Sequence, residues 1–285
     1  MTGLRNHETY YMTIITNDAK YDAIPLWKEK IFVVNGKNLI ENEHLINLNW
    51  KKHNHKYISF KNCTISASDF GGSCLEGLHL EDCHIYNCSF ERAILRDGIF
   101  KNCIFYEKEN QLGSSFYLAD LQQTQWYNCN ISLNNFERAD LFQVSMNSCQ
   151  AIGCNFKNAN FSNMINRSSF FCMASLVNTD FNYSDFSCVN LEKCDLSGSK
   201  FVNVDLSGTN LSGTDLKNTD FAPAYYNNLS LIGADMRNAN ISSIDVRKLE
   251  FSGVKILDWQ QGTFIENLGI IISPENKANL KKEKY

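Results

Sequence analysis

The sequence has little of what would point to several common classes of protein. Only 3 Pro and 15 Gly occur in 285 residues, which excludes a collagen-like or loop-dominated chain. The formal net charge is -4, so the chain lacks the excess of Lys and Arg expected of a protein that binds nucleic acid directly. No run of about 18 apolar residues occurs, so we expect no membrane-spanning helix.

The remaining composition is that of a folded chain. Hydrophobic residues make up 44% and charged residues 20%, which predicts a substantial buried core. The eleven Cys are an odd number in a long chain, and Met1 to Thr9 contain no basic stretch followed by an apolar run. These features disfavour a disulfide-bonded secreted domain, and we expect a cytoplasmic protein.

One regularity organises most of the chain: a large apolar residue recurs at every fifth position. This period holds from Phe60 to Phe105, from Phe116 to Phe161 and from Phe171 to Ile256, and it uses most of the 19 Phe. The period matches neither an α-helix nor a single amphipathic strand. A fixed period sustained over so many residues is typical of a stacked repeat architecture.

The residue two positions before each large apolar residue is small or modestly apolar. Eight of the eleven Cys fall in this column: Cys63, Cys83, Cys88, Cys103, Cys129, Cys149, Cys154 and Cys194. Residues two apart on an extended segment point to the same side, so both positions face inward and the next two residues turn the chain. Four units then close a square coil of about 20 residues, which predicts an all-β, quadrilateral parallel β-helix.

Stacked coils predict ladders of residues 20 positions apart. One ladder joins Cys63, Cys83 and Cys103. A second joins Phe161, Phe181, Phe201 and Phe221, provided that the segment after Phe161 preserves the register. Each buried Phe or Leu contributes about 1.5 to 3 kcal/mol to the free energy of unfolding, so the interior columns dominate stability.

Two segments interrupt the repeat and predict loops that project from the tube. Loop A lies at about 106–113, where Phe105 and Phe116 are 11 rather than 10 positions apart and the residues between them are polar. Loop B lies at about 162–169, where the phase is kept but Asn166 occupies an inward position. Polar loops on a rigid scaffold commonly carry function.

Both loops supply candidate partner-binding residues. In loop A they are Glu107, Lys108, Glu109, Asn110 and Gln111. In loop B they are Asn163, Met164, Ile165, Asn166, Arg167 and Ser168. Met164, Ile165 and Arg167 are the best anchors, because exposed apolar side chains and Arg are typical of interface hot spots.

The two ends differ from the repeat. Residues 1–56 show no clear period and are predicted to form an N-terminal extension or cap, although Ile40, Leu45 and Trp50 are in phase with Phe60 and fit a degenerate first coil. The β-helix is predicted over 57–256. Residues 257–272 form a C-terminal cap, with a short helix between Asp258 and Leu268, Gly269 as its stop and a short strand at 270–272. Residues 273–285 are expected to be a flexible tail.

With these residues placed, the chain resembles the pentapeptide-repeat proteins, and within them the Qnr-type quinolone-resistance proteins. The resemblance covers roughly 61–272. Its specific parts are the irregular ones: the segment from Phe100 to Gly113 is similar to the first Qnr loop, Asn163 to Cys172 to the second, and Val254 to Ile270 to the C-terminal cap. Residues 1–56 have no counterpart in that family.

The resemblance implies a right-handed β-helix that forms a homodimer, tail to tail, through its C-terminal elements. The residues that correspond to the dimerisation element are Trp259, Phe264, Ile265, Leu268 and Ile270. The resemblance further implies that the dimer binds the bacterial type II topoisomerases, DNA gyrase and topoisomerase IV, and protects them from quinolones. No cofactor, metal ion or membrane is implied.

Aspartates recur just before the large apolar residues in the C-terminal half. They are Asp180, Asp185, Asp195, Asp205, Asp215, Asp220, Asp235 and Asp245. One interpretation is an acidic face that partly mimics DNA. The other is that Asp suits the backbone hydrogen bonding of turns. B-DNA carries one charge per about 1.7 Å, far more than this rod, so mimicry is expected only locally and with help from the loops.

Catalysis is disfavoured, because no nucleophile motif, phosphate-binding loop or carboxylate pair stands out. The Cys column is interpreted as packing rather than as a metal or redox ladder, since free Cys packs as a small hydrophobe. Two alternatives to topoisomerase protection against quinolones stay open: a structural or interaction scaffold, such as a delivered effector or an envelope-associated protein, and immunity against a gyrase-poisoning toxin.

Overall fold

The computed structural model describes residues 32–34, 37–166, 169–271 and 273, and it has the predicted architecture, a parallel β-solenoid. Successive coils pair in parallel at a register of 20 residues, so that Phe60 lies beside Leu80 and Leu80 beside Phe100. Each coil consists of four units, and the tube therefore has four faces. The large apolar residue of each unit points to the axis.

The faces are numbered by the inward residues that stack along them. Face 1 contains Ile40, Phe60, Leu80, Phe100, Trp126, Met146, Leu176, Leu196, Leu216 and Met236. Face 2 contains Leu45, Ile65, Ile85, Phe105, Ile131, Ala151, Phe181, Phe201, Phe221 and Ile241. Face 3 contains Trp50, Phe70, Phe90, Phe116, Phe136, Phe156, Phe186, Leu206 and Tyr226. Face 4 contains Leu75, Leu95, Leu121, Leu141, Phe161, Leu191, Leu211 and Leu231.

The regular strands are short because the chain turns after every unit. They are β1 Phe32–Val34, β2 Lys37–Glu41, β3 His44–Ile46, β4 Ile58–Lys61, β5 Thr64–Ser66, β6 His79–Glu81, β7 His84–Tyr86, β8 Ile99–Lys101, β9 Gln125–Tyr127, β10 Ser145–Asn147, β11 Ser162–Asn166, β12 Ser169–Cys172, β13 Ser175–Val177, β14 Lys200–Val202 and β15 Asp220–Ala222. Two 3-10 helices, Val246–Lys248 and Asp258–Gln260, precede helix α1, Gln261–Asn267. The main sheet lies on face 1 in the order β1-β2-β4-β6-β8-β9-β10-β13.

The corners are turned by a residue in the left-handed region, two positions after the inward residue. Asn62 and Asn102 occupy such corners with φ of 51° and 54°. Asn adopts this conformation more readily than most residues, which explains its frequency at the corners. The amide of the corner residue then pairs with the next coil, as Asn62 N donates to the Glu81 carbonyl at 3.0 Å.

The predicted Cys column faces inward, and its thiols take part in the hydrogen-bonding ladder. On face 2 the Sγ of Cys83 donates to the carbonyl of Phe60 at 3.4 Å, and on face 3 that of Cys154 donates to the carbonyl of Ile131 at 2.9 Å. In the following coil Ser184 makes the corresponding bond, from Oγ to the carbonyl of Ala151 at 2.7 Å. Cys and Ser are therefore interchangeable donors at this inward position.

Face 3 carries a continuous stack of phenylalanine rings along the tube. The rings belong to Phe70, Phe90, Phe116, Phe136, Phe156 and Phe186. Successive centroids are 4.7, 4.9, 4.9, 4.9 and 4.6 Å apart, with planes within 20° of parallel. Each stacked aromatic pair stabilises the fold by about 0.5 to 1.5 kcal/mol beyond the contribution of the apolar area that it buries. This column therefore holds the coils in register.

The predicted ladder from Phe161 to Phe181 is wrong. The pairing step is 26 residues across loop A, between Ser89 and Ser115, and 30 residues across loop B, between Ser145 and Ser175. The coil that contains loop B therefore holds ten extra residues. Phe181 stacks below Ala151 instead, while its predicted contact with Phe201 exists at 5.5 Å.

The predicted position of Phe171 is also wrong, because its phase in the repeat placed it inside the tube. It lies on β12 of loop B and is 41% exposed. The ten extra residues equal two units, so the period continues through loop B while the chain leaves the tube. The next inward residue after Phe161 is Leu176.

The tube begins earlier than the predicted boundary at 57. Strand β2 pairs in parallel with β4, and β3 pairs with β5, so Ile40 and Leu45 belong to a first coil and are buried. Strand β1 adds an antiparallel strand at this end. Residues 1–31 of the predicted N-terminal extension lie outside the described residues.

The C-terminal end agrees with the predicted helix but not with the predicted strand. Helix α1 ends before Gly269, which adopts φ of 78°. Ile270 and Ile271 form no strand, and Ile272 lies outside the described residues, as does nearly all of the predicted tail. The described part of the chain contains no helix that is both long and apolar enough to cross a bilayer.

Candidate functional site

Loop A leaves the tube at the corner between faces 2 and 3 and forms a tight polar turn. The backbones of Glu107 and Leu112 pair in antiparallel fashion, with N to O distances of 2.8 and 3.0 Å. Where the chain re-enters the tube, a Cβ at Gly113 would collide with the carbonyl of Leu133, so only Gly fits. His84 Nε2 lies 3.0 Å from the carbonyl of Tyr106 at the start of the loop.

One carboxylate organises loop A. Glu107 accepts hydrogen bonds from the amides of Glu109 and Asn110 and from the Asn110 side chain, each at 3.0 Å. These bonds, chiefly the one from the Asn110 amide, hold the pKa of the Glu107 carboxyl below its usual range. The carboxylate of Glu107 is thus engaged within the loop, while Lys108, Glu109, Asn110 and Gln111 are exposed.

Loop B leaves the tube at the opposite corner, between faces 4 and 1, and is a β-hairpin. Strands β11 and β12 pair in antiparallel fashion from Ser162 with Cys172 to Asn166 with Ser169, with an irregularity between Met164 and Asn166. Asn163 is exposed, and the Met164 side chain is 70% exposed. Ile165 and Asn166 belong to β11 by their backbone, whereas Arg167 and Ser168 lie outside the described residues.

The eight predicted aspartates do not form one acidic face, which corrects that expectation. Pairing between coils distributes them over three faces. Asp195, Asp215 and Asp235 lie on face 1, Asp180 and Asp220 on face 2, and Asp185 and Asp205 on face 3, while Asp245 caps the 3-10 helix Val246–Lys248. The phase alone does not distinguish the faces, because every unit has the same outward position.

Most of these carboxylates serve the turns. Seven accept a hydrogen bond from the amide two residues on: Asp180, Asp185, Asp195, Asp205, Asp215, Asp235 and Asp245. Four also pair with cations: Asp180 with Lys200, Asp215 with Lys217, Asp235 with Arg237 and Asp245 with Arg247. The Arg247 guanidinium lowers the pKa of Asp245 to about 2. Hydrogen bonding within turns therefore accounts for most of the eight aspartates.

The C-terminal cap closes the tube through one buried amide, that of Gln260. Its Nε2 donates to the carbonyls of Met236 and Ala239, both at 2.9 Å. Its Oε1 accepts from the amides of Asn238 and Leu257, at 3.0 and 2.8 Å. Backbone groups that would otherwise face the open end of the tube are thereby satisfied.

The cap divides the predicted dimerisation residues into two groups. Phe264 packs inward with its ring centroid 5.1 Å from that of Phe251, and Ile265 is half-buried. Trp259, Leu268 and Ile270 are exposed by 63%, 50% and 53%. The second group is therefore accessible on the C-terminal cap.

Several residues that contact these elements were absent from the sequence prediction. They include Gln260 in the cap and Phe142 and Asn160 beneath loop B. The only signal for Gln260 is a polar residue on the first turn of a short apolar helix. Phe142 carried a weak signal, since it is a large apolar residue at an outward position.

The described ranges contain no cluster of side chains arranged as a metal centre. No group of three or more His, Cys, Asp or Glu among those residues is arranged to hold a metal ion. Burial raises the pKa of the Cys88 and Cys154 thiols to about 12, so both stay protonated as packed donors.

A family model for pentapeptide repeats matches residues 167–198, 174–213 and 199–242, with eight copies of the repeat. Together with the four-faced solenoid, this match identifies a class: the chain is built of pentapeptide repeats.

Within that class the relatives include Qnr proteins. The chain is 36% identical over 120 residues to the quinolone resistance pentapeptide repeat protein QnrB96 of Scandinavium goeteborgense and 33% identical to the pentapeptide repeat protein QnrB4 of Escherichia coli. Each match covers 42% of this chain and 56% of the relative, so the chain spans just over half the length of these curated relatives.

The structure of full-length QnrB1, a plasmid-mediated fluoroquinolone resistance protein, is also similar. It aligns with a TM-score of 0.62 at 29% identity. The alignment covers 76% of this chain and 100% of QnrB1. The whole QnrB1 fold thus has a counterpart here.

Proposed function

We propose that this chain binds the bacterial type II topoisomerases, DNA gyrase and topoisomerase IV, in the cytoplasm and protects them from quinolones. It acts by binding and not by catalysis. The observation that carries the proposal is the alignment with full-length QnrB1, which extends over all of that quinolone-resistance protein. Repeats alone would not carry it, because generic repeats occur in proteins of many functions.

The two loops support the proposal as the specific readers of the enzyme. Loop A presents Lys108, Glu109, Asn110 and Gln111 as exposed polar groups, and loop B presents Met164 as an exposed apolar side chain. Arg167 and Ser168 complete the sequence of loop B. An apolar residue beside polar neighbours suits an interface anchor, and the rigid tube holds both loops at opposite corners.

The cap supports a homodimer. Trp259, Leu268 and Ile270 are exposed at the end of the rod, where a second copy related by a two-fold axis would cover them. Two rods joined end to end would present four loops to one target. The dimer thus doubles the binding surface without new contacts.

Charge has a smaller role in this proposal than the loops. Asp185 and Asp205 are neighbours on face 3, and neither is in an ion pair within the described part of the chain. Local mimicry of DNA rests on such carboxylates rather than on a continuous stripe. It contributes attraction to the basic DNA-binding surface of the enzyme.

A supercoiling assay with gyrase and ciprofloxacin tests the proposal. We expect the purified protein to restore supercoiling in the presence of the drug at about one dimer per enzyme. The control is the same titration without ciprofloxacin, which separates protection from simple inhibition. No rescue at stoichiometric protein would refute the proposed function.

A further inference from the structure

Phe142 is buried at a position that faces out of the tube. It follows the inward residue Leu141 on face 4, and successive residues of an extended segment point to opposite sides. At the same position on other coils of this face, Gln122 is half-buried and Ile232 is 44% exposed. Phe142 is only 5% exposed, so something covers it from outside the tube.

The cover is the second strand of loop B. The ring of Phe171, on β12, lies edge-on to Phe142, with centroids 5.2 Å apart and planes at 83°. Next to this pair, Gln143 Nε2 contacts Met173 Sδ at 3.4 Å. Loop B therefore leans over face 4 instead of standing free at its corner.

The first strand of loop B is held separately by Asn160. Its Oδ1 accepts from the amide and hydroxyl of Ser162, at 3.1 and 2.8 Å, and its Nδ2 donates to the Ser162 carbonyl at 3.0 Å. The equivalent Asn240 also holds the amide and hydroxyl of Ser242, yet no loop follows there. The base of loop B is therefore a normal corner, and its lean depends on the contact with Phe142.

We infer that Phe142 is a positioning residue for topoisomerase binding: docking of Phe171 on Phe142 fixes the direction in which loop B presents Met164. This inference rests on the proposed function. Phe142 itself touches no partner, because it is covered. Its effect passes through the orientation of β11 and β12.

Hydrogen exchange and binding, measured on the same variants, test the inference. In Phe142→Ala, the amides of 162–172 are expected to exchange about two- to tenfold faster, since an edge-on aromatic pair contributes modestly. Affinity for gyrase falls by a similar factor. Phe142→Leu restores part of both effects, and the matched control Ile232→Ala, at the same position of the same face, changes neither.

The two readouts separate the docking from the function. Unchanged exchange of loop B in Phe142→Ala would overturn the docking. Faster exchange with undiminished affinity would overturn the positioning role and leave the proposed function intact. If the wild-type chain does not bind gyrase at all, the functional role of Phe142 and the proposed function both fail, while the exchange data still decide whether Phe142 docks the loop.

Discussion

The two loops leave the same tube at opposite corners, but they are held in different ways. Loop A adds six residues to its coil and is organised by its own Glu107, with a contact to His84 at its base. Loop B adds ten residues, forms a hairpin and rests an aromatic ring on the outer wall of face 4.

This difference shows which loop depends on the tube for its conformation and which does not. The shape of loop A follows from hydrogen bonds among its own residues, so we expect it to survive changes elsewhere in the tube. Loop B takes its direction from a residue one coil away. An exposed binding element can therefore depend on the wall beneath it as much as on its own sequence.

Removing loop B gives the largest expected effect on function. Deletion of 162–171 joins Phe161 to Cys172 and restores the five-residue spacing to Leu176, so the tube is expected to stay folded while protection of gyrase is lost. The supercoiling assay and a thermal melt measure the two properties. Deletion of 163–168 also removes the candidate residues, but it leaves four extra residues in the coil and is expected to lower the melting temperature.

Loop A provides the matched deletion. Removing 107–112 joins Tyr106 to Gly113 and restores the spacing from Phe105 to Phe116. Protection that persists after either register-preserving deletion would contradict the assignment of that loop to the interface. If the thermal melt broadens after each of the two deletions, the loops stabilise the tube. That result would contradict the expectation that the tube stays folded without them.

The C-terminal cap resembles loop A in one respect: a single side chain makes several of its polar contacts. In loop A this side chain is the partly exposed Glu107, and in the cap it is the buried Gln260. Gln260→Ala leaves the buried carbonyls of Met236 and Ala239 and the amides of Asn238 and Leu257 without these partners. Each unsatisfied group costs about 1 to 3 kcal/mol before relaxation, so we expect a loss of about 3 kcal/mol in the free energy of unfolding.

Denaturant unfolding measures this loss, and gel filtration reports the dimer. The dimer is expected to weaken as well, since the cap presents Trp259 and Leu268. The exposed neighbour is the control: Gln261→Ala is expected to stay within about 0.5 kcal/mol of wild type. Equal stability of the two variants would contradict the role of Gln260.

The same contrast between the loops explains what the sequence could predict about the fold. The insertion of six residues shifts the five-residue phase by one, and loop A was visible for that reason. The insertion of ten equals two whole units, so Phe171 stayed in phase although it had left the tube. A period reports the phase of a residue but not the coil to which it belongs, which is why the ladder from Phe161 to Phe181 was wrong.

Features of the candidate site could be predicted from the sequence only where they depend on one residue or on the period of the repeat. Exposure of Met164 followed from an apolar residue that lies off the register of the repeat. The distribution of Asp195, Asp205 and Asp220 over different faces could have been read from the sequence, because all three follow loop B and no two of them are separated by a multiple of 20 residues. The docking of Phe171 on Phe142 joins residues 29 positions apart, a separation that matches neither the period of five nor the register of 20.

The smallest expected effect concerns loop A. Glu107→Ala removes the acceptor of three hydrogen bonds, so amides 108–112 are expected to exchange severalfold faster, because bonds to a carboxylate are stronger than neutral ones. Glu109→Ala is the matched control, since it removes an exposed carboxylate that makes none of these bonds.

The pH dependence of exchange tests the same carboxylate in the wild type. Because the folded state lowers the pKa of Glu107, the contribution of this carboxylate to stability is present above the unfolded pKa and is lost as the pH falls through the folded pKa. Exchange in loop A of the wild type, corrected for intrinsic rates, should therefore approach that of Glu107→Ala in acid while loop B keeps its protection. Loss of protection in both loops at the same pH would show that the two respond as one unit and are not held independently.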